Sequence, residues 1–254
     1  RFERIKIAFS KAPLSAWFGM IVLSIYLIAA FFAPFIAPHG EAEVFPVAYA
    51  PWGGEHLLGT DQIGRDILSR LIFASRNTLG ICFLACTIAL FIGTIFGIIA
   101  AIDRSYIDQI LSRSIDTLMA IPVMIFTFIL LSVFGPSNLN LILILGVLES
   151  TRFFRISRSV AVGQVVLEYV EVAKLRGEKL SYIIFREILP NIASPLIVEF
   201  GVRFIFIIFT VSSLSFLGLG IQPPAADWAA MVRENAILIQ YAQYDITAGL
   251  TPLI

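Results

Sequence analysis

Three stretches of this chain, Ala12 to Pro38, Asn77 to Ile102 and Thr117 to Leu148, contain no Asp, Glu, Lys or Arg. A helix needs about 20 apolar residues to cross the hydrocarbon core of a bilayer. Backbone groups in that core must be satisfied within the segment, which favours helices for such runs. Composition points the same way: 58% of the residues are hydrophobic, only 14% are charged, and the mean hydropathy is +0.90. A globule of 254 residues cannot bury that much apolar surface. Water-soluble, disordered, collagenous and disulfide-scaffold classes are therefore excluded. The fold class expected is all-α, a polytopic transmembrane helical bundle.

The spans follow from the runs. The first is Ala12 to Pro38 and the second Asn77 to Ile102. The run from Thr117 is too long for one helix and is broken at Gly135-Pro136-Ser137-Asn138, because proline lacks an amide proton and Gly-Pro favours a turn. This gives a third span near 115–134 and a fourth near 139–157. A fifth covers about Ser194 to Leu217, with Pro190 expected to end the helix before it. A sixth begins at Ile246 to Leu250, but the chain stops at Ile254. Five complete spans are expected, with a sixth to follow. Position 1 is Arg1 and no cleavable signal is visible, so the first residues are read as missing.

Basic residues set the orientation. Arg1, Arg4, Lys6 and Lys11 precede the first span, Arg104 and Arg113 follow the second, and Arg152, Arg155, Arg158, Lys174, Arg176, Lys179 and Arg186 follow the fourth. These are 13 of the 18 Lys and Arg residues, against Arg65, Arg70, Arg76 and Arg233 on the other side. The amino terminus and the 158–194 loop are expected to be cytoplasmic. The net charge is zero, which argues against a nucleic-acid partner. Cys82 and Cys86 fall in an apolar run and read as small packing residues. Gly93 and Gly97 give the second span a small-residue stripe for close helix packing.

Outside the spans, residues 39–58 are rich in Pro and Gly and read as loop. Residues 59–76 read as a separate amphipathic helix capped by Thr60 or Asp61, with Ile63, Ile67 and Leu71 on one face and Arg65, Asp66, Ser69 and Arg70 on the other. Residues 218–246 suggest a turn-rich cap followed by a short helix. His39 and His56 lie in the outer segment and read as loop and turn residues, with no metal site expected.

The loop 158–194 carries two short helical patterns around Gly177. Val170, Ala173 and Leu175 lie among charges in the first, and Leu180, Ile183, Ile184 and Ile188 recur in the second. Glycine permits the left-handed turn between them. Two readings stay open on pattern alone: a rigid helix presented to a soluble partner, or an ordinary positive loop that anchors topology.

Glu171-Val172-Ala173, then Gly177, then Leu189-Pro190 resembles the EAA loop of permease subunits of binding-protein-dependent ABC importers. The run from His56 to Arg70, His-Leu-Leu-Gly-Thr-Asp-Gln-Ile-Gly-Arg-Asp-Ile-Leu-Ser-Arg, is similar to the dipeptide/oligopeptide/nickel group, the DppC/OppC type. Leu214 to Pro224 with Trp228 and Met231 resembles that group too. Val172 in place of the second Ala of the signature, Glu187 where many members have Ile, and Ala229 where a Gly is common are departures. The resemblance implies a type I ABC importer permease fold, with 1–76 as amino-terminal segment, first helix and outer loop, and 77–254 as a permease core cut short at its last helix.

What else it implies is a transmembrane subunit, not an enzyme, that forms half of a translocation pathway for di- or oligopeptides. Partners implied are a second permease of the DppB/OppB type, ATPase subunits of the DppD/DppF type, a periplasmic substrate-binding protein and the lipid bilayer. Glu168, Glu171, Ala173, Lys174, Arg176, Gly177, Leu189 and Pro190 are the expected ATPase-coupling loop. The chain has no Gly-x-x-x-x-Gly-Lys-Ser/Thr, so no cofactor is expected on it, with ATP and Mg held by the partner subunits.

Glu199 and Arg203 form an i,i+4 pair within the fifth span. A lone charge there costs about 2.5–3.5 kcal/mol, so pairing or a wet cavity is expected. A structural pair is the preferred reading, and a pair lining the translocation path is the other. Pro122, expected to kink the third span, is the remaining path candidate, and Asp116 near it could equally anchor at the interface. A nickel, opine or other small-solute importer of the same group, an ion-driven secondary transporter and a nonconducting scaffold are the alternative functions.

Overall fold

The computed structural model describes residues 13–103, 105–236 and 239. The expected start of a sixth span at Ile246 to Leu250 lies outside the described residues, as do Arg1, Arg4, Lys6, Lys11 and Arg104. Among the described residues the architecture is helical, with only the isolated bridges Gly53–His56 and Thr60–Asp66 besides. The helices are α1 (Leu14–Ile36), α2 (Ile67–Ile102), α3 (Tyr106–Met119), α4 (Val123–Phe134), α5 (Asn138–Val165) and α6 (Glu168–Leu175). A single turn α7 (Leu180–Tyr182), a π-helical stretch Ile183–Ile188, α8 (Leu189–Phe216) and α9 (Trp228–Asn235) complete them. The chain divides into two compact units, residues 1–80 with 223–254 and residues 81–222.

Among the described residues, three helices are long and apolar enough to cross a membrane: Leu14–Ile36, Ile67–Ile102 and the continuous Leu180–Phe216. The pair α3 and α4 makes a fourth if it counts as one span, and it is bent by 87°. The expectation of five spans is thus met only as far as three or four. The fourth expected span does form a helix, α5, but Glu149, Arg152, Arg155 and Arg158 interrupt its apolar character.

Two local expectations need correction, at residues 59–76 and at Pro190. Residues 59–76 are not a separate amphipathic helix. The chain is looped as far as Asp66, and α2 then runs unbroken for 36 residues. At about 1.5 Å per residue that is longer than the ~30 Å hydrocarbon layer. Thr60 and Asp61 do not cap it; the carboxylate of Asp66 does, accepting from Ser69 N at 2.8 Å and Ser69 Oγ at 2.7 Å. The supposed polar outer face, Arg65, Asp66, Ser69 and Arg70, is buried. Its charges are satisfied internally: Asp61 Oδ2 lies 2.7 Å from Arg65 Nε and 2.6 Å from Arg70 Nη1, and Glu234 Oε2 from α9 lies 3.1 Å and 2.8 Å from the same two guanidiniums.

The third expected span is kinked at Pro122, as the sequence leads one to expect. Its bend falls at Ala120-Ile121-Pro122, and Pro122 caps α4 with extended backbone, ψ 126°. Proline cannot donate to the preceding turn, so the helix restarts after it. Pro190, in contrast, does not end a helix. The chain stays helical from Leu180 to Phe216 by widening just before the proline, where Leu189 N reaches Ile184 O, five residues back. A π-type widening relieves the clash and lost bond that a proline brings to a regular helix.

The small-residue stripe performs as the sequence suggests. A Cβ on Gly93 would lie 2.5 Å from Phe153 Cβ, and one on Gly97 would lie 2.7 Å from Phe154 O, so α2 and α5 meet backbone to backbone. Cys82 and Cys86 are buried and form no disulfide.

Candidate functional site

The loop between α5 and α8 folds as a compact bracket. Val170 and Ala173 are the inward residues of α6, and both are fully buried. They join Ile183, Ile184, Ile188 and Ile192 in one hydrophobic cluster that reaches Ala161 and Val165 at the end of α5. Each valine or isoleucine so buried contributes about 1.5–3 kcal/mol. An eight-residue helix too short to be stable alone is thereby fixed to the two long helices it joins.

Gly177 ends the helix. Its φ of 73° is left-handed. Gly177 N donates to Lys174 O at 3.0 Å and Glu178 N donates to Ala173 O at 3.2 Å. This is the Schellman pattern, which satisfies the last carbonyls and reverses the chain. A Cβ at Gly177 would meet nothing within 4 Å, so the requirement is for the backbone angle and not for space.

A hydroxyl bridge adds to the packing. The Tyr169 hydroxyl donates to Gln164 Oε1 at 2.7 Å, and Asn191 Nδ2 donates to the Tyr169 oxygen at 3.3 Å and to Glu187 O at 2.7 Å. One phenol thus ties α6 to the end of α5 and the start of α8. Burial pushes its pKa up, with the Asn191 bond opposing and Glu187 adding. It stays a neutral donor at neutral pH. Tyr169, Gln164 and Asn191 escaped the sequence reading; an aromatic residue in the first turn of the loop helix was the available signal.

The outward face carries Glu168, Glu171, Lys174 and Arg176, all exposed. Between them stand Val172 and Leu175, the latter 81% exposed. Glu168 and Glu171 fall in the first turn and Lys174 in the last, as the helix dipole favours. Of the expected coupling residues, the structure gathers Glu168, Glu171, Lys174, Arg176 and Gly177 on the exposed part. Ala173 faces the core, Leu189 is half-buried, and Pro190 is exposed just after the π-helical stretch. The exposed apolar ridge of α6 is therefore Val172 and Leu175, while Val170 and Ala173 support it from the buried side.

The residues named for the translocation path do not form one site. Arg203 Nε lies 2.7 Å from Glu199 Oε1, so the i,i+4 pair exists. Arg203 Nη1 is also 3.9 Å from Glu149 Oε2, and its guanidinium stands 4.6 Å over the Phe206 ring. Glu149, which the sequence reading passed over at the end of an apolar run, makes this a cluster of two carboxylates and one guanidinium between α5 and α8. Pro122 instead caps α4 at the bend. Lower on α5, Arg158 grips Asp108 of α3 through two bonds of 2.6 Å, and Arg155 pairs with Asp116 at 2.7 Å.

Long apolar helices joined by a compact, charge-rimmed loop define a polytopic membrane component. Residues 93–252 match the family described as binding-protein-dependent transport system inner membrane component, and the chain belongs to that family. Residues 9–51 match the N-terminal TM domain of oligopeptide transport permease C. The chain is 34% identical to a dipeptide transport system permease protein DppC of Alkalihalophilus pseudofirmus over 90% of its own length and 75% of the relative's. It is 30% identical to a di/tripeptide transport system permease protein of Pseudomonas aeruginosa, covering 93% and 80%. With the dipeptide permease DppC of Escherichia coli K12 the identity is 34%, covering 89% and 76%. It is thus a multi-pass inner-membrane transport permease.

Proposed function

We propose that this chain is one of two permease subunits of an ATP-driven importer for di- or oligopeptides. A periplasmic binding protein delivers the peptide, and separate ATPase subunits bind ATP and Mg and drive the cycle. The names of its relatives support the peptide class. The amino terminus and the 158–194 loop face the cytoplasm, a reading supported by the basic-residue asymmetry. In this reading α5 is also a crossing, because its Glu149 is buried beside Arg203 and its arginines cluster toward one end, which brings the count to five before the last helix.

The observation that carries the coupling role is the α6 bracket: a helix locked by Gly177 and Tyr169 that holds Val172 and Leu175 outward in a ring of charges. Work passes through it because its buried face is continuous with α5 and α8, so that displacement of the helix moves both. The test is reconstituted uptake with the partner subunits. Gly177→Pro fixes φ near −65° against the 73° required, and uncouples ATP turnover from uptake. Normal uptake with an unaltered ATPase rate in that variant overturns the coupling role.

A further inference from the structure

We propose that His39, His56 and Asp66 form a binding site for a divalent transition-metal ion of the zinc type, holding the segment that follows α1 to the start of α2. One ligand atom from each of the three lies within 4.8 Å of the other two. The three residues come from separate pieces of chain: His39 beyond α1, His56 in the loop, and Asp66 at the cap of α2. Two imidazoles and one carboxylate are a donor set that suits Zn2+ and its neighbours and leaves a fourth position for water.

The surroundings orient these groups. His56 Nδ1 is 3.0 Å from Asp66 Oδ1. Two donors about 2.0–2.1 Å from a tetrahedral ion stand about 3.3 Å apart, so this pair is already close to the separation an ion needs. Asp66 Oδ2 is occupied by Ser69 N and Ser69 Oγ, which leaves Oδ1 for the site. Ser69 Oγ in turn accepts from His39 N at 3.0 Å, so one serine steadies two ligand-bearing segments. His39 Nε2 lies 3.3 Å from Glu55 O; a ring donating there keeps its lone pair on Nδ1, the pattern metal-binding histidines commonly show. The Phe45 ring stands edge-on to both imidazoles, at 4.8 Å and 4.5 Å, and screens the site with an apolar wall.

The ion replaces the proton between His56 Nδ1 and Asp66 Oδ1, and the His39 ring closes on it. The consequence is a clasp: three ligand bonds replace the His56–Asp66 hydrogen bond and add to the existing His39 N–Ser69 Oγ tie between the loop and the helix cap.

The experiment uses the full-length chain in nanodiscs with a histidine-free affinity tag, stripped with chelator and titrated with Co2+ and then Zn2+. The expected result is one Co2+ per chain with the intense visible bands of a four- or five-coordinate site, displaced by Zn2+. His39→Gln and His56→Gln should each weaken binding by at least about tenfold. His39→Gln changes the residue with the loosest ties, so its helical circular dichroism should match wild type. Absence of saturable binding by the wild type overturns the proposal. So does equal affinity in wild type and a folded His39→Gln variant.

Discussion

The Tyr169 hydroxyl donates to Gln164 Oε1 across 2.7 Å and thereby joins the short helix α6 to the end of the long helix α5. Asn191 donates to the same phenol oxygen from α8. A helix of eight residues becomes stiff because it is held at its first turn by this bridge and at its last by Gly177.

Tyr169→Phe keeps the ring and removes the bridge. The expected loss of stability is about 1 kcal/mol, as for a typical hydrogen bond. Backbone amides of 168–176 should exchange faster with deuterium, measured by mass spectrometry, while those of α5 keep their protection. Unchanged exchange in 168–176 would show that apolar packing alone fixes the helix.

Asp61 is the shared anion of Arg65 and Arg70 and is fully buried. Asp61→Ala leaves two buried guanidiniums on Glu234 alone. Removal of one partner from a buried ionic network costs about 3–5 kcal/mol. A strongly lowered melting temperature in detergent is expected, and a shift within error of wild type would contradict the network's role.

Gly93→Ala places a methyl against Phe153 and the backbone of Ser150. Overpacking of this kind costs about 1–3 kcal/mol. Gly163→Ala is the matched control, since a Cβ there meets nothing within 4 Å and alanine favours helix. Thermal unfolding should fall for the first variant and hold or rise for the second.

Much of this was legible in the sequence, for reasons that differ by residue. Uncharged runs identify α1 and α2 because the bilayer imposes length and polarity on whatever crosses it. Gly177 and the Gly93–Gly97 stripe were legible because a left-handed turn and a close helix approach each need a residue without a side chain. The error at 59–76 had the opposite cause. Arg65, Asp66, Ser69 and Arg70 look solvent-exposed by periodicity, yet all four are buried: the two arginines pair with Asp61 and with Glu234, which is distant in sequence, and Asp66 and Ser69 bond to each other and to His56 and His39. The same holds for Glu149 with Arg203 and for Tyr169 with Asn191. Contacts across helices leave no local period. Pro190 misled because proline ends a regular helix, and only the three-dimensional chain reveals the π-helical widening before it.

Leu175 tests whether the exposed ridge of α6 binds anything. It is 81% exposed, so Leu175→Asp should leave the melting temperature within about 0.5 kcal/mol of wild type in stability terms. Peptide uptake with the partner subunits should nevertheless be lost. A variant that transports normally would remove Leu175 from the docking surface.

The central claim is that this bracket hands work to the permease from an ATPase on the cytoplasmic side. A Leu175→Cys variant examines it directly, because the native thiols Cys82 and Cys86 are buried. In inside-out vesicles carrying the whole transporter, a short bifunctional cross-linker is expected to join position 175 to an ATPase subunit, with a yield that changes with ATP and vanadate. Labelling of the introduced thiol by a membrane-impermeant reagent from the periplasmic face, with no ATPase captured, would contradict the account.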